Sequence, residues 1–329
     1  MRRPLDPRLA LGLLGLLWLA VAFGAPLLGS QKVALGEVFR DGTAATIFWQ
    51  LRLPRVLLAL LAGGALSTAG LGFQTLFRNP LAEPYTLGVA GGAALGAVLA
   101  VRFAEGAGAW GLPLVALASF AGALGATALV AGVAIRRKET ETATLLLAGI
   151  GVSLSTSALI LFVQYLANAT QTFQMVRWMM GGLAVVGYRE VLWVLPWTLF
   201  GLAVLLAGRW ELNLLLAGEE IAASRGVDVP RLRFRVLLAV SLMIGALVAV
   251  AGPIGFVGLM VPHALRRLVG HDHLVLAPAC LLGGGAFLAL ADLAARTVMA
   301  PADLPVGVLT ALLGGPVFLL LLVLRRRRA

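Results

Sequence analysis

The side chains that usually carry enzymatic chemistry are scarce in this sequence. They comprise three histidines, one cysteine and two lysines: His263, His271, His273, Cys280, Lys32 and Lys138. The histidines lack the spacing of a structural metal site, and although His271 and His273 could bind a metal incidentally, a solvated loop is the favoured interpretation. Neither lysine follows a glycine, so the chain has no phosphate-binding loop of the form G-x-x-x-x-G-K-[ST]. We therefore expect no catalytic residue, no metal site and no ATP hydrolysis in this chain.

Two further residues could act inside a membrane. Asp292 is the clear ionisable residue within an apolar stretch, and Arg296 follows it by four positions, on the same face of a helix. Acidic residues at membrane depth often mark sites of ion-coupled transport. A local ion pair near the end of the helix is the favoured interpretation here. Cys280, the only cysteine, is expected to be a buried apolar residue and cannot form a disulfide within the chain.

Composition places these residues in a membrane protein. The chain of 329 residues is 60% hydrophobic and 12% charged, whereas soluble domains have about 25% charged residues. A helix needs roughly 20 mainly apolar residues to cross a bilayer, because lipid offers no partner to the backbone polar groups. Such stretches recur and predict an all-α polytopic membrane protein with about ten transmembrane helices. The predicted spans lie near residues 9–29, 56–77, 85–104, 112–135, 143–166, 190–208, 236–252, 255–270, 275–297 and 306–324.

Basic residues set the expected orientation. Arginines lie at both termini, including Arg2, Arg3 and residues 325–328, and basic residues favour the cytoplasmic side. Both termini are therefore expected in the cytoplasm, which agrees with an even number of spans. The first span could instead be a secretory signal, but residues 9–28 are long for one. The formal net charge of +11 is attributed to topology and contact with anionic lipid, and no nucleic-acid role is expected.

Three polar segments interrupt the apolar pattern. In the first, Asn-Pro and Glu-Pro pairs within residues 79–84 forbid a regular helix. In the second, residues 211–235, a short helix too polar to span the bilayer ends at Gly226. Such a helix could dock on a partner protein or rest on lipid. In the third, residues 252–255 (Gly-Pro-Ile-Gly) divide one long apolar run into two helices.

Together these segments resemble those of the FecCD-type permeases, which import iron-siderophore complexes, haem and cobalamin as parts of ATP-binding cassette importers. The resemblance extends from about Leu51 to Leu324 and is carried most specifically by residues 78–82 (Arg-Asn-Pro-Leu-Ala) and 252–263. It implies that residues 1–329 form a single transmembrane permease domain. Residues 209–235 would be its cytoplasmic coupling region.

The resemblance further implies the partners of the chain. It would lie in a bacterial or archaeal cytoplasmic membrane, form a homodimer, bind two cytoplasmic ATPases and receive substrate from an extracytoplasmic binding protein. The translocation path would lie between the two permease copies. This subunit would bind no cofactor itself, because ATP and Mg²⁺ belong to the ATPases. An iron chelate, either a siderophore complex or haem, is the favoured substrate, with cobalamin as the alternative, since no residue encodes a particular ligand.

Individual residues also acquire roles from the resemblance. Arg52, Arg55 and Arg296 would meet carboxylates of the binding protein, for which a guanidinium is well suited; lipid-interface anchoring is the alternative. Arg52 and Arg55, three apart at the start of a helix, would share one face and contribute to a rim of uncompensated positive charge. The segment that couples to the ATPases would comprise Gly218, Glu219, Glu220, Ile221, Ala222, Ala223, Ser224, Arg225, Gly226 and Val227.

The translocation path is assigned fewer residues. Asn79 and Leu81 would border an inner gate, and Thr142 would lie near a second gate position, although Glu141 beside it departs from the small polar residue of the family. Two other classes of protein remain as rivals. A secondary transporter would need several acidic residues within its spans, and an intramembrane enzyme would need paired acids or clustered histidines at membrane depth. The sequence contains neither arrangement.

Overall fold

All regular structure in the described part of the chain is helical. The computed structural model describes residues 6–29, 36–40, 42–103, 111–136, 142–300 and 302–326. The helices, in chain order, are α1 (Pro7–Gly24), α2 (Thr43–Thr46), α3 (Leu53–Leu76), α4 (Val89–Phe103), α5 (Gly111–Arg136), α6 (Thr142–Tyr165), α7 (Ala169–Met179), α8 (Arg189–Ala207), α9 (Arg209–Ala217), α10 (Glu219–Ser224), α11 (Val229–Ala251), α12 (Val257–Val269), α13 (His273–Thr297) and α14 (Val306–Arg326). A π-helical segment, Ile47–Arg52, joins α2 to α3, and a 3₁₀ segment, Pro84–Leu87, precedes α4.

The lengths of these helices confirm a polytopic membrane protein. Within the described residues, seven helical stretches are long and apolar enough to cross a bilayer. Two further apolar stretches, Val89–Phe103 and Val306–Leu320, are shorter. The helix α12 has only 13 residues and carries two arginines in its last turn. The number of ten spans and the cytoplasmic termini stay predictions.

The chain divides into two compact units. The first comprises Met1–Leu71, Gly182–Leu195 and Ile254–Ala329, and the second comprises Gly72–Gly181 and Pro196–Pro253. In the first unit, α1 and α12 both pack against α13, and α14 packs against α12 and α13. In the second unit, α4 packs against α5 and α6, and α5 also packs against α11. The prediction of a single permease domain is not tested by this division.

The predicted interruption between the two late helices is confirmed. The helix α11 ends at Ala251, and α12 begins at Val257. Gly252 adopts φ +65°, and a Cβ atom there would lie 2.4 Å from the carbonyl oxygen of Trp178, so a larger residue would clash with backbone. Phe256 also has a positive φ of 68°, a conformation that non-glycine residues rarely adopt. Its ring packs over Gly314, where a Cβ would come within 2.3 Å of it.

Glycines bring helices of the first unit into close contact. A Cβ on Gly63 of α3 would lie 2.2 Å from the carbonyl oxygen of Gly284 on α13, and a Cβ on Gly284 would lie 2.4 Å from that of Gly63. Gly70 meets Gly258 of α12 in the same way, at 1.9 Å. Small residues permit such approach in lipid, where packing replaces the hydrophobic effect as the force of association. These glycines therefore allow α3 to pack closely against α12 and α13.

This packing predicts that replacing a glycine by alanine destabilises the protein by an amount that depends on the position. Gly63→Ala or Gly284→Ala should destabilise the protein by about 1–3 kcal/mol, because the added methyl group meets backbone that cannot move aside cheaply. Gly125→Ala is the matched control, since a Cβ at this helical position meets nothing within 4 Å. Thermal unfolding in detergent, followed by tryptophan fluorescence, measures the difference. Equal unfolding temperatures for the three variants would contradict the close contact.

Candidate functional site

The predicted coupling segment forms a short helix with well-defined ends. The helix α10 follows Gly218, which adopts φ +140°, and it is closed by Gly226, which adopts φ +85°. The amide of Gly226 donates to the carbonyl of Ala223 and that of Val227 to the carbonyl of Ala222, at 2.9 and 3.0 Å. This pair of hydrogen bonds is the Schellman arrangement, which satisfies the last carbonyl groups of a helix. The expected short helix ending at Gly226 is confirmed.

One face of α10 is buried and the other is available to a partner. Ala222 is fully buried, whereas Ile221 is 49% exposed. The neighbouring exposed residues are Glu220, Ala223, Ser224 and Arg225. An exposed isoleucine between charged side chains gives a small surface with an apolar centre and a polar rim, which suits contact with another protein.

Ion pairs fix α10 against α11 on its buried side. Arg233, which is 6% exposed, donates to the carboxylate of Glu219. Arg235 donates to Glu211 of α9 at 2.9 Å. Asp228 caps α11 by accepting from the amide of Arg231 at 3.1 Å. These contacts tie α10 and α9 to the start of α11.

The segment predicted to border the inner gate is irregular, as expected from its prolines. The helix α3 ends at Leu76, and Arg78 adopts φ +48°. The amide of Arg78 donates to Thr75 and that of Asn79 to Gln74, at 3.1 and 3.0 Å. These bonds form a second Schellman arrangement, in which arginine takes the left-handed position usually given to glycine.

Asn79 organises the turn that follows. Its side-chain oxygen accepts from the amide of Leu81 at 2.9 Å, and its carbonyl accepts from the amide of Ala82 at 3.1 Å. This Asx turn leaves Leu81 40% exposed. Thr142 begins α6, but its side chain and the whole of Glu141 lie outside the described residues. The roles of Asn79, Leu81 and Thr142 in gating stay predictions.

The arginines predicted to dock a binding protein form a partly buried cluster with two carboxylates. Arg55 binds Asp292 through its Nε and Nη2 atoms, with three contacts of 2.9–3.1 Å. The third nitrogen, Nη1, donates to Asp303 at 2.9 Å. The side chain of Asp292 is 1% exposed and that of Asp303 is 58% exposed. Arg55 thus joins a buried carboxylate to an accessible one.

The two other arginines contact backbone oxygens that follow α1. Arg52 donates to the carbonyls of Pro26 and Leu27 at 3.4 and 3.3 Å. Arg296 donates to the carbonyl of Ala25 at 2.7 Å, and its Nε lies 3.8 Å from Asp292. Cations favour this end of a helix, where carbonyl groups lack partners within the helix. Arg52 and Arg296 therefore stabilise the end of α1 and the turn beyond it.

These contacts correct two expectations. The three arginines are not an uncompensated rim, because Arg55 pairs with two carboxylates, and Arg52 and Arg296 are 8% and 7% exposed. Arg52 and Arg55 are also not at the start of a helix, since the helical stretch begins at Thr43. Arg52 is the last residue of the π-helical segment and Arg55 lies within α3, and the two side chains meet different partners. Docking by these arginines remains a prediction that the structure does not test.

The described residues contain no group of three histidine, cysteine, aspartate or glutamate side chains placed to hold a metal. His273 begins α13 and is 1% exposed, so the expectation that it lies in a solvated loop is wrong. Asp272 instead caps α13, accepting from the amide of Leu274 at 2.9 Å. Cys280 is buried, as expected.

The contacts of the arginine cluster predict that the stability of the protein depends strongly on the buried carboxylate of Asp292. Asp292→Asn should destabilise the protein by about 3–5 kcal/mol, because it leaves Arg55 and Arg296 with one uncompensated charge in a poorly solvated place. Asp228→Asn, which removes an exposed partner of Arg231, should cost about 0–1 kcal/mol. The yield of monodisperse protein and the unfolding temperature in detergent measure both. A variant at position 292 as stable as the control would show that the pair contributes little.

Comparison with known proteins covers nearly the whole chain. The model of the FecCD transport family matches residues 13–324. The hemin transport system permease protein of Yersinia pestis is 39% identical, covering 98% of this chain and 98% of its own. The cobalamin import system permease protein of Halobacterium salinarum is 42% identical, covering 96% and 82%. The vitamin B12 import system permease protein of Shigella boydii is 40% identical, covering 91% and 90%.

A solved structure shares both fold and sequence with this chain. It is described as an inward-facing conformation of a metal-chelate type ABC transporter. The two chains superpose with a TM-score of 0.85 and are 32% identical, over 97% of this chain and 99% of the other. The helices described above therefore follow an established arrangement.

Proposed function

We propose that this chain, which belongs to the FecCD transport family, is the permease subunit of an ATP-driven importer for iron chelates or haem. The observation that carries the proposal is the match of nearly the whole chain, from residue 13 to residue 324, to a family of transport permeases. Fold and sequence agree, because the structural relative and the sequence relatives each cover more than nine-tenths of this chain. The expected family resemblance is thereby confirmed.

Energy for transport would come from partner subunits. The sequence lacks a nucleotide-binding loop, so ATP and Mg²⁺ would bind to two cytoplasmic ATPases and no cofactor to this subunit. The exposed face of α10 around Ile221 is the surface proposed to receive the movement of the ATPases. The ion pair between Arg233 and Glu219 would pass that movement to α11, because it ties the short helix to a long one.

A second copy of the chain and a binding protein would complete the importer in a bacterial or archaeal cytoplasmic membrane. The translocation path would lie between the two copies, near Asn79, Leu81 and Thr142. Docking would use Arg55 in particular, because one of its nitrogens is directed to an exposed carboxylate. The two buried arginines would support the docking surface by holding the turn after α1.

The substrate class is supported more firmly than the substrate itself. Relatives named for haem and for cobalamin transport are 39% and 40–42% identical to this chain, so identity does not separate the two ligands. We favour an iron chelate or haem, in line with the metal-chelate type of the structural relative. Cobalamin is the second candidate because two of the relatives above carry that name.

The substrate proposal is tested on the binding protein that copurifies with the transporter. Mass spectrometry and absorption spectra of the ligand it retains should identify an iron chelate or haem, and titration should reproduce its binding. Retention of a corrinoid would replace the proposed substrate by cobalamin. Failure to bind any metal chelate, corrinoid or haem would contradict the proposed function as a whole.

The coupling proposal predicts a local and severe effect. Ile221→Glu should abolish copurification of the ATPases and substrate uptake, because a carboxylate would replace the apolar centre of the contact. The matched control is Val186→Glu, the same kind of change at a residue that is 72% exposed outside the segment. Both variants should reach the membrane in normal amounts. Retained ATPase binding by Ile221→Glu would remove α10 from the interface.

A further inference from the structure

Two large aromatic side chains are uncovered near the contact between α9 and the start of α11. Trp210 of α9 is 56% exposed, and Phe234 of α11 is 57% exposed. Each directly precedes one member of the ion pair between Glu211 and Arg235, which joins the two helices at 2.9 Å. We refer to this part of the second unit as the aromatic ledge, and it comprises Arg209, Trp210, Arg231, Phe234 and Arg235.

The exposed face of α11 continues from the ledge into an apolar span. Arg231, Phe234 and Leu238 follow one another at intervals of three and four residues, so they lie on one face of the helix. The side chain of Arg231 is 83% exposed, and Leu238 is 40% exposed. The helix Val229–Ala251 is long and apolar enough to cross a bilayer. A cation followed by exposed apolar residues along one face is typical of a helix that enters lipid.

An exposed face of α8 also ends at the ledge. The helix Arg189–Ala207 is a second candidate span, and Phe200, Ala203 and Ala207 are exposed on one of its faces. Trp210 follows Ala207 by three residues. Two candidate spans therefore end beside the same ion pair, which places the ledge at the surface of the bilayer. Its arginines favour the cytoplasmic side.

The donors of the ledge differ in their partners. Arg231 pairs with Asp228 at 3.0 Å, and Arg235 has its partner in α9. The guanidinium group of Arg209 is exposed and makes no hydrogen bond or ion pair with another residue of the described ranges. The indole N–H of Trp210 has no acceptor among those residues either. Arg209 and Trp210 therefore offer donors to a group from outside the chain.

We propose that the aromatic ledge binds the phosphate group of an anionic phospholipid in the cytoplasmic leaflet. Arg209 supplies the charge and a donor fork that fits phosphate oxygens. The rings of Trp210 and Phe234 contact the glycerol and the upper acyl carbons, as aromatic side chains do at membrane interfaces. The occupant is a lipid because the exposed faces that meet here continue along two candidate spans. The inference goes beyond the proposed function, since lipid binding does not depend on what the chain transports.

The test counts the lipids bound to the detergent-solubilised permease by native mass spectrometry. Phosphatidylglycerol is the anionic probe and phosphatidylcholine the zwitterionic one. Inorganic phosphate in excess distinguishes a lipid site from a site for free phosphate. Arg209→Gln removes the unpaired guanidinium group. The matched control is Arg189→Gln, which removes an exposed arginine at the opposite end of α8.

The unaltered permease should bind phosphatidylglycerol more tightly than phosphatidylcholine, and inorganic phosphate should not displace it. Arg209→Gln should weaken the binding of the first phosphatidylglycerol by about 5-fold, the contribution of one arginine at a membrane surface. Arg189→Gln should leave this affinity unchanged. Trp210→Ala should weaken the binding of both lipids, because the ring contacts groups that the two lipids share.

The same measurement on the importer assembled with its copurifying ATPases should show the phosphatidylglycerol retained. Loss of that lipid on assembly would show that the ATPases cover the ledge, and this would overturn the lipid site. Equal affinities for the two lipids, equal effects of the two arginine variants, or displacement by inorganic phosphate would overturn it as well. Failure of any ATPase to copurify would instead contradict the proposed function.

Discussion

Backbone hydrogen bonding in lipid is the constraint on which this structure depends. A chain crossing the bilayer must satisfy its own amides and carbonyls, so the helix is the default, and every interruption needs another set of partners. At Arg78 those partners are Schellman hydrogen bonds, and the same arrangement closes α10 at Gly226, in the segment expected outside the bilayer. At Asn79 the side chain itself accepts a backbone amide. The proposed gate and coupling segments are thus ordered departures from the helix.

Much of this arrangement could be predicted from local sequence. Apolar length and glycine-proline composition located most helices, the break after Ala251 and the short helix at Glu219, because each depends on neighbouring residues. The start of the second long helix was placed too late, since the aromatic and polar residues from Thr43 to Arg52 do not form a simple apolar run. That stretch continues into α3 and makes a helix of 34 residues.

The arginine cluster could not be predicted in the same way. Arg55 and Asp292 are 237 positions apart, and no local pattern reports such a contact. The sequence did place Asp292 and Arg296 on one helix face, but the stronger partner of Asp292 is Arg55, which donates to both its oxygens. The contact of Asp303 with Arg55 could not be predicted either, because Asp303 lies in a connecting segment without motif or periodicity. In the sequence alone, only a count of the charged residues near the ends of the helices could have suggested such a contact.

This chain is proposed to supply the path for the substrate and no energy of its own. The most direct measurement is uptake of a radiolabelled iron chelate, offered with the copurifying binding protein, into liposomes containing either this chain alone or this chain with its ATPases and ATP. Uptake is expected only in the second preparation, and it should be lost when ATP is replaced by a non-hydrolysable analogue. Uptake by the chain alone, driven by an ion gradient, would contradict it.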